Sequence, residues 1–161
     1  MESVNTTDKT FPILLIDDDP NLGDILSRVS QNAFPEADFI HFCSIEEAMD
    51  YLKSSPVNLP KLILLDINFN REEDGLAYLV MLRKYLQTVQ IPIIILSMMA
   101  DEERIQQAYS TGAVSFLEKS STVQGWTNLL KSLKKYWSDI VDLPTDRLDG
   151  DSTGSLYKAL E

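Results

Sequence analysis

The segment Leu62–Asp66, Leu-Ile-Leu-Leu-Asp, constrains the fold of this chain more than any other. Four apolar residues run without interruption into one carboxylate. A continuous apolar run this short suits a strand covered on both faces, as in a parallel sheet. In open α/β sheets, ligands bind outside the carboxyl ends of the strands, which is where Asp66 falls. An aspartate at such a place also closes turns and caps helices. Whether Asp66 belongs to a site therefore depends on what ends the other strands.

The chain supplies four more such runs. Residues 11–16 are apolar and end in Asp17-Asp18-Asp19-Pro20. Leu22, Ile25, Leu26 and Val29 follow at helical spacing, predicting a helix over 20–31 with Asp19 as its N-cap. Residues 38–42 read as a second strand. Ser44 with Glu47 forms a capping box ahead of Ile45, Ala48, Met49 and Leu52. After the third strand, a polar loop over 68–75 leads to Leu76, Leu79, Val80, Leu82 and Leu86 on a third helix. Residues 93–96 form a fourth run, ending at Ser97. A more polar helix is expected over 101–110, with Ile105, Ala108 and Tyr109 as a thin stripe and Gly112 as its C-terminal cap. A fifth run at 114–117 leads into Glu118-Lys119. Trp126, Leu129, Leu130, Leu133 and Trp137 then mark a last helix. Strands alternating with helices imply an α/β fold with one parallel sheet and helices on both faces. Right-handed crossovers place every carboxyl end on one edge. The expected organisation is a polar extension (1–10), one domain (11–143) and a polar tail (144–161).

That edge collects Asp17 and Asp18, Asp66, Ser97 and Lys119. Three carboxylates placed together repel, and a hard cation relieves them. Mg²⁺ takes oxygen ligands, commonly one or two carboxylates plus a phosphate. A lysine and a hydroxyl beside such a cation suit phosphoryl chemistry, for which an aspartate is a competent nucleophile. Asp17 with Asp19 also makes an Asp-x-Asp after an apolar strand, as in haloacid-dehalogenase-type phosphohydrolases. His41 has no acidic or nucleophilic neighbour in sequence and reads as structural. A glycine-rich phosphate loop is lacking, so nucleotide binding has no support. The net charge of −11 opposes a nucleic-acid footprint. A single cysteine, Cys43, precludes an internal disulfide. No apolar run is long enough to span a membrane, and residues 1–10 lack the apolar core of a signal peptide, so a cytoplasmic protein is expected.

The set Leu-Ile-Asp-Asp-Asp-Pro, Leu-Ile-Leu-Leu-Asp-Ile-Asn, Asp-Gly-Leu, Ile-Ile-Leu-Ser and Phe-Leu-Glu-Lys resembles the receiver domain of two-component response regulators. The resemblance implies a flavodoxin-like, doubly wound (βα)5 fold with strand order 2-1-3-4-5. It implies that Asp66 accepts a phosphoryl group from a histidine kinase or phosphotransfer protein. Asp18, Asp66 and the Asn68 carbonyl would bind Mg²⁺, with Asp17 acting mainly through metal-bound water. Ser97 and Phe116 would form the switch, and Lys119 would pair with the phosphoryl oxygens. The short tail suggests a stand-alone regulator that acts by docking, similar to those associated with phytochrome-type kinases. The face of the fourth helix, fifth strand and fifth helix is the expected surface for a partner or a homodimer.

The chain departs from the family pattern in places. Met98 stands where a small residue usually follows the switch hydroxyl, and would modulate access to Asp66. Ser120 replaces the proline that usually follows the lysine, leaving the isomer of that peptide bond open. The loop over 70–74 is charged. A receiver fold used as a phosphorylation-independent interaction module is the remaining alternative.

Overall fold

The computed structural model describes residues 10–54, 59–68, 74–86, 90–99, 101–139 and 143. Its strands are β1 (Phe11–Ile16), β2 (Ala37–Phe42), β3 (Leu62–Asp66), β4 (Ile93–Ser97) and β5 (Ser115–Glu118). All pairings are parallel, in the order β2-β1-β3-β4-β5, which is the expected flavodoxin-like topology. The helices are α1 (Leu22–Ala33), α2 (Ile45–Ser54), α3 (Gly75–Tyr85), α4 (Glu102–Thr111) and α5 (Val123–Leu133). A π-helical turn, Lys134–Ser138, extends α5. The tail expected over 144–161 and most of the charged loop lie outside the described residues.

The apolar runs work because a strand alternates its side chains between two faces. Leu14, Ile16, Ile63, Leu65, Ile93 and Ile95 join one core, under α2, α3 and α4. Ile13, Leu15, Leu62, Leu64, Ile94 and Leu96 join the other, under α1 and α5. Both faces are covered, so β3 and β4 are buried along their whole length. The edge strands β2 and β5 are only half-buried.

Several expectations shift. Helix α1 starts at Leu22, and its N-cap is Asn21 rather than Asp19. Asp19 instead closes a tight turn before the helix, its carboxylate accepting from the Asn21 N–H at 2.9 Å. The core face of α1 runs through Leu22, Gly23, Leu26, Ser30 and Ala33, which leaves Ile25 exposed. On α3 the buried face runs through Gly75, Leu76, Tyr78, Leu79 and Leu82, which leaves Val80 exposed. On α4 only Ala108 is buried. Trp126 is core, and Trp137 packs against the same cluster while remaining half-buried.

Local signals fix the helix ends. Ser44 Oγ accepts from the Glu47 N–H at 3.3 Å. Asp74 caps α3, Asp101 caps α4 and Thr122 caps α5. Gly112 ends α4 with φ of 112°, in the left-handed region. Arg83 ties the sheet edge remote from Asp66. Its Nε donates to Gly112 O at 2.8 Å and its Nη1 to Ile91 O at 2.7 Å. Burial pushes this guanidinium below its ordinary pKa.

Gly75 opens α3 directly against the segment leaving β3. A Cβ there would run into the backbone of Ile67. Gly75→Ala should therefore lower stability by roughly 1–3 kcal/mol, as overpacking does, despite the better helix propensity of alanine. Urea denaturation checks this, and an unchanged or higher midpoint would show that the contact yields freely.

Candidate functional site

Pleat alternation carries past the strand ends and decides which side chains meet. Asp17 continues the Ile13–Leu15 row, Asp66 the Leu62–Leu64 row, and Lys119 lies two residues beyond Leu117, on the α1/α5 face. Register puts Ile16 beside Leu65, so the two aspartates emerge side by side. Ser97 continues the opposite row, Ile93–Ile95, and Phe116 lies on that same face. The carboxyl edge is thus split between a charged half and a hydroxyl–aromatic half.

In the charged half, Asp17 is fully buried and Asp66 is 1% exposed. Asp17, Asp18 and Asp66 each offer an oxygen within 4.8 Å of the others. Lys119 Nζ lies 2.7 Å from Asp17 Oδ2 and 3.2 Å from Asp66 Oδ2. Main-chain donors set the carboxylate orientations. The Asp19 N–H donates to Asp17 Oδ1 at 2.9 Å, and the Asn68 N–H donates to Asp66 Oδ1 at 2.8 Å. Among the described residues, the buried Asp17 Oδ2 has the Lys119 ammonium, an ion pair, as its contact and no further hydrogen-bond partner. The Lys119 N–H donates to Ser97 O at 2.8 Å, holding the end of β5 against β4.

Burial raises the Asp66 pKa, and the neighbouring Asp17 adds to the rise, against the opposing Asn68 amide and Lys119. For Lys119, burial works against the charge, but Asp17 and then Asp66 outweigh it and hold the ammonium above its ordinary value. The oxygens of Asp17, Asp18 and Asp66 that converge here are all carboxylate oxygens, and Asp17 Oδ2 is offset only by the Lys119 ammonium. This set fits a small, hard divalent cation.

In the other half, Ser97 is fully buried. Its hydroxyl donates toward Asn68 Oδ1 (2.9 Å) and Met99 O (2.7 Å) and accepts from the Met99 N–H at 3.2 Å. Asn68 Oδ1 also accepts from the Met98 N–H at 3.2 Å. The Asn68 side chain therefore links the loops after β3 and β4, a role separate from that of the carbonyl expected to bind metal. Met98 is 63% exposed and Met99 76% exposed. Phe116 is half-buried and packs against the core under α2, α3 and α4. The peptide bonds of the described residues are all trans, including Lys119–Ser120. Ser120 Oγ accepts from the Thr122 N–H at 3.1 Å, so the residue that replaces proline helps start α5.

The partner of His41 is not legible in the local sequence. His41 Nε2 lies 2.8 Å from Asp17 O. The usable signal was topological: β2 adjoins β1 in the 2-1-3-4-5 order, which brings the end of β2 beside Asp17.

Comparison with known proteins agrees with this architecture. Among curated sequences, the chain is 31% identical over 123 residues to the glycerol metabolism activator of Pseudomonas putida, an alignment covering 76% of this chain and 53% of that protein. The chain spans about half the length of the curated relatives it matches. Among solved structures it is similar to the phosphorylated cyanobacterial phytochrome response regulator RcpA, with a TM-score of 0.73, 23% identity and coverage of 84% of this chain and 99% of that one. It is also similar to the Mn²⁺-bound response regulator Rcp1, with a TM-score of 0.70, 23% identity and coverage of 83% and 98%. At these identities the structural likeness speaks to the fold. Residues 13–134, most of the chain, match the family described as the response regulator receiver domain, and the chain belongs to that family.

Proposed function

We propose that Asp66 is a phosphoacceptor and that the chain relays a signal by changing a protein-binding surface when Asp66 is phosphorylated. The observation that carries this reading is the buried carboxylate of Asp66 beside Lys119, with Asp17 and Asp18 within 4.8 Å. The donor is a phosphohistidine of a histidine kinase or phosphotransfer protein. An Asp66 oxygen attacks phosphorus, the N–P bond breaks, and the phosphoryl group passes to the aspartate as an acyl phosphate. Asp17, Asp18, Asp66 and the Asn68 carbonyl would hold Mg²⁺, which supplies charge neutralisation at the phosphoryl oxygens. Lys119, already held between Asp17 and Asp66, is placed to pair with the transferred group.

The second half of the edge reads out the change. The Ser97 hydroxyl is buried and bound to Asn68, and a phosphoryl group on Asp66 offers it a charged acceptor. Ser97 and Phe116 share a sheet face through the Ile95–Phe116 register. Movement of Ser97 therefore vacates space that Phe116 can fill. The affected surface comprises α4, β5 and α5, where Tyr109, Val114 and Val123 are exposed, and it is the proposed site for a partner or a second copy. Met98, exposed beside Ser97, is proposed to limit access of water and donor to the acyl phosphate.

The phosphohydrolase reading needs Asp19 in the cluster. Asp19 is exposed, and its carboxylate is engaged by the Asn21 N–H. Receiver-domain response regulators are in general signalling proteins rather than enzymes, and the reading above follows that class. Among the described residues, no helix is long and apolar enough to cross a membrane.

Incubation with acetyl phosphate and Mg²⁺ should add one phosphoryl mass to the wild type and none to Asp66→Asn. Labelling that survives Asp66→Asn but vanishes in Asp17→Asn would overturn the assignment. Ser97→Ala should still be phosphorylated, yet show a reduced chemical-shift response in β5 and α4 by NMR. A full response would remove Ser97 from the switch.

The raised Asp66 pKa gives a stability test. A carboxyl whose folded pKa lies above its ordinary value of 3.8 binds its proton more tightly when folded, so its ionisation opposes folding. That opposition is absent below 3.8 and complete above the folded value. Asp66→Asn, a neutral isostere, should therefore raise the urea midpoint at neutral pH without Mg²⁺. The gain should shrink on acidification, and added Mg²⁺ should narrow it by stabilising the wild type. A wild type more stable than Asp66→Asn across this range would refute the electrostatic account.

A further inference from the structure

We propose that His41 is a positioning residue for the acidic cluster, fixing the peptide plane that joins Asp17 to Asp18. The inference rests on the metal-assisted reading of the site given above. The β1–β2 ladder closes with the Asp17 N–H donating to Phe42 O at 3.1 Å. The Asp17 carbonyl lies beyond that closing bond, in the turn that carries Asp18. His41 Nε2 meets this carbonyl at 2.8 Å. A carbonyl only accepts, so Nε2 carries the proton. The peptide unit is planar, and fixing its C=O also fixes the direction in which the chain reaches the Asp18 Cα. The imidazole thus sets how the Asp18 carboxylate is presented to Asp17 and Asp66.

The ring is itself held. Its Nδ1 faces Gly23 on α1, where a Cβ would lie 2.5 Å away. Gly23 is buried in a helix, where glycine is intrinsically unfavourable. The close approach of His41 gives that glycine a reason to be there. Leu15 pairs with His41 across the sheet, and Phe39, one pleat period earlier on β2, packs in the α1/α5 core, so the ring leaves β2 on the α1 side. Cys43 Sγ is the other contact of Nε2, at 3.9 Å, too long to compete with the carbonyl.

The test is calorimetric titration of the intact protein with MgCl₂, with urea midpoints measured in parallel. His41→Ala should weaken Mg²⁺ binding about tenfold, the lower end of effects seen when a partner of a metal ligand is removed. His41→Gln, whose amide N–H can reach the same carbonyl, should recover most of that loss. Gly23→Ala should weaken Mg²⁺ binding in the wild-type background and have no further effect in His41→Ala, because the displaced ring is then already absent. The urea midpoint of Gly23→Ala, measured alongside, separates this outcome from unfolding. Unchanged affinity in both His41→Ala and Gly23→Ala, with the wild type binding Mg²⁺, overturns the inference alone. A loss in His41→Ala without recovery in His41→Gln and without effect of Gly23→Ala assigns the residue to packing and also overturns it. A wild type that binds no Mg²⁺ overturns the metal reading itself, and this inference with it.

Discussion

The alternation of side chains across three buried parallel strands is the constraint on which the rest depends. It sorts β1, β3 and β4 into two cores. Beyond the strand ends it also sorts the polar residues, Asp17, Asp66 and Lys119 to one side and Ser97 to the other. A slip of one residue in any strand would exchange those sides. The apolar core therefore enforces the register that brings Asp17 beside Asp66. The charged half of the edge and the hydroxyl–aromatic half are separated by the pleat and joined through loops and the β4–β5 pairing.

The same edge is where the fold gives up stability. Two carboxylates at or near complete burial oppose folding unless something positive faces them. Lys119 answers part of that need, and its charge is itself disfavoured by burial until Asp17 and Asp66 offset it. The arrangement makes sense as preorganisation. A carboxylate cluster left short of positive charge would gain most from a bound cation.

Much of this was legible in the sequence, and the reason is the length of the apolar runs. Residues 62–65 and 93–96 have no polar interruption, and in a chain that alternates strands with helices runs this short suit strands buried on both faces. Asp66, Asp18, Ser97 and Lys119 could then be placed by topology, with the resemblance to the receiver family adding roles. What the sequence hid depended on local competition. Asp19 looked like an N-cap, but Asn21 follows two residues later and the turn between them takes the Asp19 carboxylate. Val80 looked apolar and inward, yet Tyr78 holds the buried position on α3. His41 and the Asn68 amide were invisible as partners because their contacts join segments 24 and 29 residues apart in sequence.

Helix α4 sits between two unequal attachments. At its C-terminal end, Arg83 grips the Gly112 carbonyl from within the protein. At its N-terminal end, Arg104 reaches Asp74 at 2.8 Å in a pair open to solvent, which contributes little. Between them only Ala108 is buried. The helix is thus held firmly at one end and loosely at the other, and the loosely held end lies on the side of Ser97. With a single buried residue along its length, little apolar contact resists displacement of that end.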